Sequence, residues 1–279
     1  MVACLQRRVS NTVIMLIENK RRAYAVAKRT WIWFSAASAL SIVLSVIPMF
    51  LPDVWCRPFP ALALVLAVAT VALRWRADMQ YQQAEALRRL QLFIDALGEA
   101  PDQTDLAVTL SNAGNTACDE PASIGPYYGS KEKQRWRRLV DNVRESAFYT
   151  AANSRTFFNY LCAGIIAFLV IMFVALYVST VLVEPTLLAS GVLAGVTAVI
   201  GTSIADVARS YFNLSNAAAA VRDTCRDLLR ARSVPMREAL QVVSRYDVAL
   251  AGSPPIPGFV YKQSQARLDA SWKAWKGGV

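Results

Sequence analysis

The sequence predicts an all-α integral membrane protein, with four transmembrane helices in two hairpins and a helical cytoplasmic domain. Three observations lead there. Of 279 residues, 55% are hydrophobic and the mean hydropathy is +0.31, high for ordinary globular composition. Four uncharged runs lie near the roughly 20 apolar residues a helix needs to cross a bilayer. The basic residues also avoid the two short turns between those runs.

The first run lies between Arg29 and Asp53 and opens on Trp31-Ile32-Trp33-Phe34, with aromatics where an interfacial belt has them. It reads as a retained span and not a signal peptide, because the lead-in 1–29 already holds seven basic side chains. The second, Pro58 to Leu73, is the shortest, and its reach is extended by Trp75 and snorkelling arginines. The third lies between Arg155 and Glu184, and the fourth runs from Pro185 to Ala205. The resulting plan is an amphipathic cytoplasmic helix over 1–29, hairpin one over 30–75 and cytoplasmic helices with a linker over 76–155. Hairpin two covers 156–206, and a cytoplasmic helical tail covers 207–279.

The segment 1–29 holds seven Lys and Arg, 74–155 eleven and 208–279 eleven, whereas Arg57 is the one basic residue in the turns. Cytoplasmic flanks collect positive charge, so both termini and the central segment are placed inside a multi-pass inner-membrane protein. The same distribution accounts for the net charge of +10, and no nucleic-acid partner is expected.

Each span continues into polar helix. Leu87, Leu90, Ile94 and Leu97 recur at spacings of 3 and 4, Arg88, Arg89, Gln91 and Asp95 take other faces, and Gly98 and Pro101 end the helix. A second helix runs from about Glu132 through Ser154 into span three, and a third leaves span four at Asp206 along Tyr211, Leu214, Ala218, Val221 and Cys225. Val13, Leu16, Ile17, Ala23 and Ala27 mark a fourth before span one. Their apolar faces predict a bundle. A linker occupies about Gly98 to Ser130; Ser253-Pro254-Pro255-Ile256-Pro257-Gly258 forces a break before a last helix from about Tyr261 to Trp275.

The chain has no histidine, which removes imidazole-based nucleophilic and zinc chemistry. Its five cysteines form no C-x-x-C pair and read as reduced thiols. No P-loop, dinucleotide fingerprint or metal signature occurs, so neither enzyme, cofactor nor metal site is expected. The spans hold no internal charge, which argues against a coupled transporter.

Two sets of residues are singled out. On span four, Ser190, Gly191, Ala194, Gly195, Ala198, Gly201 and Thr202 gather on one side. Small residues suit close helix packing, and in an oligomer the same face would suit a pore lining. In the central segment, Tyr127 and Tyr128 precede Arg135, Trp136, Arg137 and Arg138, rings that can stack a base beside guanidiniums that can hold phosphate. The other reading is a helix cap followed by a basic face that attracts anionic lipid.

The layout resembles the SMODS-associated four-transmembrane effectors and the wider SLATT group of bacterial conflict systems. The resemblance rests on the lead-in Asn19-Lys20-Arg21-Arg22-Ala23-Tyr24-Ala25-Val26-Ala27-Lys28, the paired hairpins, and the tail. In the tail it rests on Ser244-Arg245-Tyr246-Asp247, Pro255-Ile256-Pro257-Gly258-Phe259-Val260-Tyr261-Lys262 and Arg267-Leu268-Asp269. It implies a pore-forming antiphage effector of the bacterial inner membrane, homo-oligomeric and in contact with the lipid bilayer. Gating would come from a cyclic nucleotide or a cognate sensor protein. The alternative is a membrane-anchored scaffold, or an ion channel without a defence role.

Overall fold

A computed structural model describes residues 2–46, 58–98, 128–182 and 187–277. They form six helices: α1 Val2–Val46, α2 Pro58–Leu97, α3 Arg135–Leu182, α4 Leu187–Arg230, α5 Met236–Ala251 and α6 Gly258–Gly277. α1 packs along α2, and α3 along α4; α5 and α6 close the bundle. The first four are continuous across residues 29/30, 75/76, 155/156 and 206/207, so apolar and polar halves belong to single rods.

Among the described residues, no helix is long and apolar enough to cross a membrane. This corrects the expected fold class of four transmembrane helices, the description as a membrane protein, and the placement in an inner membrane with both termini cytoplasmic. The physical reason lies in polarity and length. In α1 the apolar part described carries the hydroxyls of Thr30, Ser35, Ser38 and Ser41. In α2 the uncharged run 58–73 falls short of a bilayer's width and ends at Arg74. Most α3 side chains beyond Val170, the expected turns at 47–57 and 183–186, and most of the linker lie outside what is described.

The α1–α2 seam is built from small residues. Ala23, Ala27, Ala63, Ala77 and Ala84 are buried, which lets the backbones approach closely. Leu16, Leu87 and Ile94 complete one core there. Ser41 Oγ donates to the carbonyl of Ala63 at 2.9 Å and Thr30 Oγ1 to Gln80 Oε1 at 2.7 Å, pinning the register at two heights. α2 stops at Gly98, whose φ of 68° is the left-handed geometry a glycine accommodates; its N–H returns to the carbonyl of Ile94 at 2.9 Å.

The second seam joins Leu139, Val140, Val143, Ala147 and Ala151 of α3 to Leu214, Ala218, Val221 and Cys225 of α4. α5 covers it with Ala239, Val242, Val243, Tyr246 and Leu250. Within the expected helical tail no separate helix is marked at 236–251, although those five side chains have the i, i+3, i+4 spacing of a buried helical stripe. Cys162 and Cys225 are free thiols, and burial pushes that of Cys225 up to about 12. Above these seams Trp31, Phe34, Ala77, Phe157, Val207, Tyr211 and Val260 form a further core, with Tyr211 donating to the carbonyl of Pro255 at 2.8 Å.

Lys20 is buried in the α1–α2 seam at 3% exposure, its Nζ donating to Gln91 Oε1 at 2.5 Å. Burial, reinforced by the charge of Arg88, lowers its pKa from 10.5 to about 7. With the folded value depressed, the folded chain holds fewer protons than the unfolded chain between those two pH values, so stability rises with pH across that window. Inside it the slope from this group approaches about 1.4 kcal/mol per pH unit. Lys20→Met is expected to remove that rise when denaturant unfolding is compared near neutral and alkaline pH. The same pH dependence in both proteins would contradict it.

Candidate functional site

The helices converge on a cavity of about 280 Å³. Six tyrosines line it: Tyr24 from α1, Tyr81 from α2, Tyr128 from the segment before α3, Tyr149 from α3, Tyr246 from α5 and Tyr261 from α6. Four charged side chains join them, Glu85, Arg88, Glu145 and Asp269.

Arg88 organises the wall. It is 7% exposed, its Nε donates to Glu85 Oε2 and its Nη2 to Asp247 Oδ1 at 3.2 Å, and its guanidinium carbon lies 5.0 Å from the Tyr246 ring centroid. Burial opposes its charge, but the Glu85 carboxylate and the surrounding phenols more than restore it, so its pKa is raised. Among the described residues Nη1 is buried without a hydrogen-bond partner. Asp247 is also gripped by Arg89 Nε at 3.2 Å, which ties α5 to α2 at two points.

Two of these phenols donate to carboxylates. Tyr24 gives its proton to Glu85 Oε1 at 2.5 Å, and burial with that carboxylate raises its pKa; the same two causes raise Tyr81. Tyr149 donates to Asp269 Oδ1 at 2.7 Å, its pKa raised by burial first and by that bond second. The hydroxyls of Tyr246 and Thr150 are 2.7 Å apart. Tyr128 is positioned through its neighbour, since the Gly129 N–H donates to Glu145 Oε2 at 3.2 Å. Neutral phenols, carboxylates and one guanidinium suit recognition of a flat ligand rich in donors and acceptors.

The ligand-sensing residues read from the sequence are divided by the fold. Tyr128 lines the cavity, while Tyr127 lies outside the described residues. Arg137 turns to the end of α4, its Nη1 donating to the carbonyl of Ala231 and its Nη2 to that of Leu229 at 3.0 Å; Arg138 Nε donates to the carbonyl of Glu132 at 2.8 Å. Trp136 packs against the α3–α4–α5 core, and Arg135 is an exposed residue at the start of α3. By contrast, the tail motifs meet at the cavity: Tyr246, Ile256, Tyr261 and Asp269 line it, and Asp247 holds Arg88.

Of the small-residue face on α4, the side-chain surroundings of Ser190, Gly191, Ala194, Gly195, Ala198 and Thr202 lie outside what is described. Gly201 is half-buried and lines, with Gly164, Trp31, Phe34, Phe157 and Phe168, an apolar cleft of about 540 Å³ between α1, α3 and α4. Among the described residues, a Cβ added at Gly164 or Gly201 meets no atom within 4 Å, so no close packing there requires either glycine.

Compared with protein-family models, curated proteins and solved structures, the chain matches none. Gly164→Ala and Gly201→Ala are each expected to stabilise by about 0.5–1 kcal/mol, the cost of glycine inside a helix. Thermal unfolding checks this, and a fall in Tm for both variants would contradict the open space around them.

Proposed function

We propose that the protein is a ligand-gated helical effector and not an enzyme, its trigger a nucleotide-class messenger that enters the tyrosine-lined cavity. The observation that carries this reading is a ligand-sized cavity walled by six tyrosines, three carboxylates and the buried guanidinium of Arg88, whose Nη1 has no acceptor among the described residues. A bound acceptor would satisfy that donor, and the rings would stack a base.

Five of the six helices contribute to the wall, so a ligand there bears on nearly the whole bundle. α1 runs unbroken from Tyr24 to Val46, roughly 33 Å at 1.5 Å per residue, and α2 and α3 likewise join the cavity to their far ends. Those ends expose Leu62, Leu64, Val65, Val68 and Val71 of α2, and Ile166, Leu169, Val170 and Phe173 of α3. Exposed apolar groups in such number mark an interaction surface. In this reading the output is assembly with further copies through that surface, and a ligand that repacks the helices changes how it is presented. The gating implied by the resemblance is kept, without the four-span architecture.

The test is thermal unfolding and sizing of the full chain with a panel of cyclic and linear nucleotides. A ligand at one hundred times its Kd adds about 2.7 kcal/mol, a rise of several degrees in Tm. Tyr261→Ala removes an exposed ring of the cavity wall, so it should reduce that rise with little effect on the unliganded Tm. No stabilising nucleotide, or an equal rise in the variant, would contradict the proposal.

A further inference from the structure

We infer that the cavity reads the edge of a nucleobase, guanine above the others, and leaves the phosphates outside. The inference rests on the ligand-sensing reading above and narrows it.

Three carboxylates line the cavity, Glu85, Glu145 and Asp269, against one guanidinium. That guanidinium is already held by two carboxylates, Glu85 and Asp247. A phosphate would face Glu145 and Asp269, so like charge opposes it. A simple organic cation would suit the rings and the acids, yet it would lie beside the positive Arg88 guanidinium. A neutral heterocycle carrying both donors and acceptors avoids each conflict.

Guanine carries them in the required arrangement. Its N1–H and 2-amino group are adjacent donors, which a carboxylate accepts together. Asp269 receives the Tyr149 hydroxyl on Oδ1, and a carboxylate has further lone pairs to offer. The six tyrosines supply faces for stacking. At about 280 Å³ the space is at the lower end for small-ligand sites, suited to one base with its sugar.

Titration calorimetry on the full chain, with guanosine, inosine, choline and inorganic phosphate as probes, tests this. Guanosine is expected to bind, and inosine, which lacks the 2-amino group, about tenfold more weakly. Phosphate is expected neither to bind in the cavity nor to displace guanosine. Asp269→Asn should remove most of the tenfold difference, whereas Asp227→Asn, on an exposed part of α4, should keep it. Glu145→Gln is the paired variant, so the inference stays testable if one of the two carboxylate changes prevents folding. Equal binding of guanosine and inosine, or a difference untouched in both cavity variants, overturns the edge reading. Displacement of guanosine by phosphate overturns the placing of phosphates outside. Choline binding in place of guanosine overturns the base and leaves the sensor reading standing, while no binding by any of the four probes overturns both.

Discussion

A guanidinium taken out of water must be compensated at close range, because an unpaired charge in a low-dielectric interior costs several kcal/mol. Arg88 meets that requirement with a carboxylate on its own helix, Glu85, and one on α5, Asp247. The second partner is 159 residues away in sequence, so the local chemistry of α2 is satisfied only when α5 has docked. Much else follows from that demand. Tyr24 of α1 shares Glu85, Tyr246 of α5 lies under the guanidinium, and the cavity is the space left between these groups.

The rest of the bundle allows such a site to be held in place. Alanine-rich seams bring α1 against α2 closely enough for short polar bonds across the interface, and the long hydrophobic stripe of α3 and α4 carries α5. The last helix is fixed by specific bonds more than by bulk. Ser264 Oγ donates to Asn153 Oδ1 at 2.5 Å, Tyr149 to Asp269, and Arg144 lies over Trp272 and Trp275. α6 therefore brings an acid and a ring to the cavity while leaving its outer face in solvent. The helix rods are thus polar and interlocked at one end and expose apolar side chains at the other.

Helix content was largely legible. The i, i+3, i+4 spacing of Leu87, Ile94, Leu214 and Val221 reports burial directly, and Gly98 and the run 253–258 mark real breaks. Two kinds of information were not. The first concerns runs such as 58–73, where low charge marks an apolar segment but not whether anything in the chain covers it; Leu64, Val68 and Val71 are exposed. The second concerns Arg88 and Gln91, which periodicity assigns to faces away from the core, yet they are 7% and 1% exposed. A charged residue reads as solvated until its partners are known, and here those partners come from α1 and α5. The same limit hid the cavity: its six tyrosines are spread from position 24 to 261, and no spacing rule joins them. Tyr246 and Asp269 drew notice as parts of tail motifs, but the reason for them appears only in three dimensions.

The central claim is that the Arg88–Asp247 pair couples α5 to α2 and thereby creates the cavity. A double-mutant cycle with Arg88→Met, Asp247→Asn and the pair combined, read by denaturant unfolding, addresses it most directly. The account predicts a coupling of about 2 kcal/mol or more, each single change leaving a buried group without its partner. A coupling below about 0.5 kcal/mol, as for independent sites, would show that α5 docks without the pair and would contradict the account.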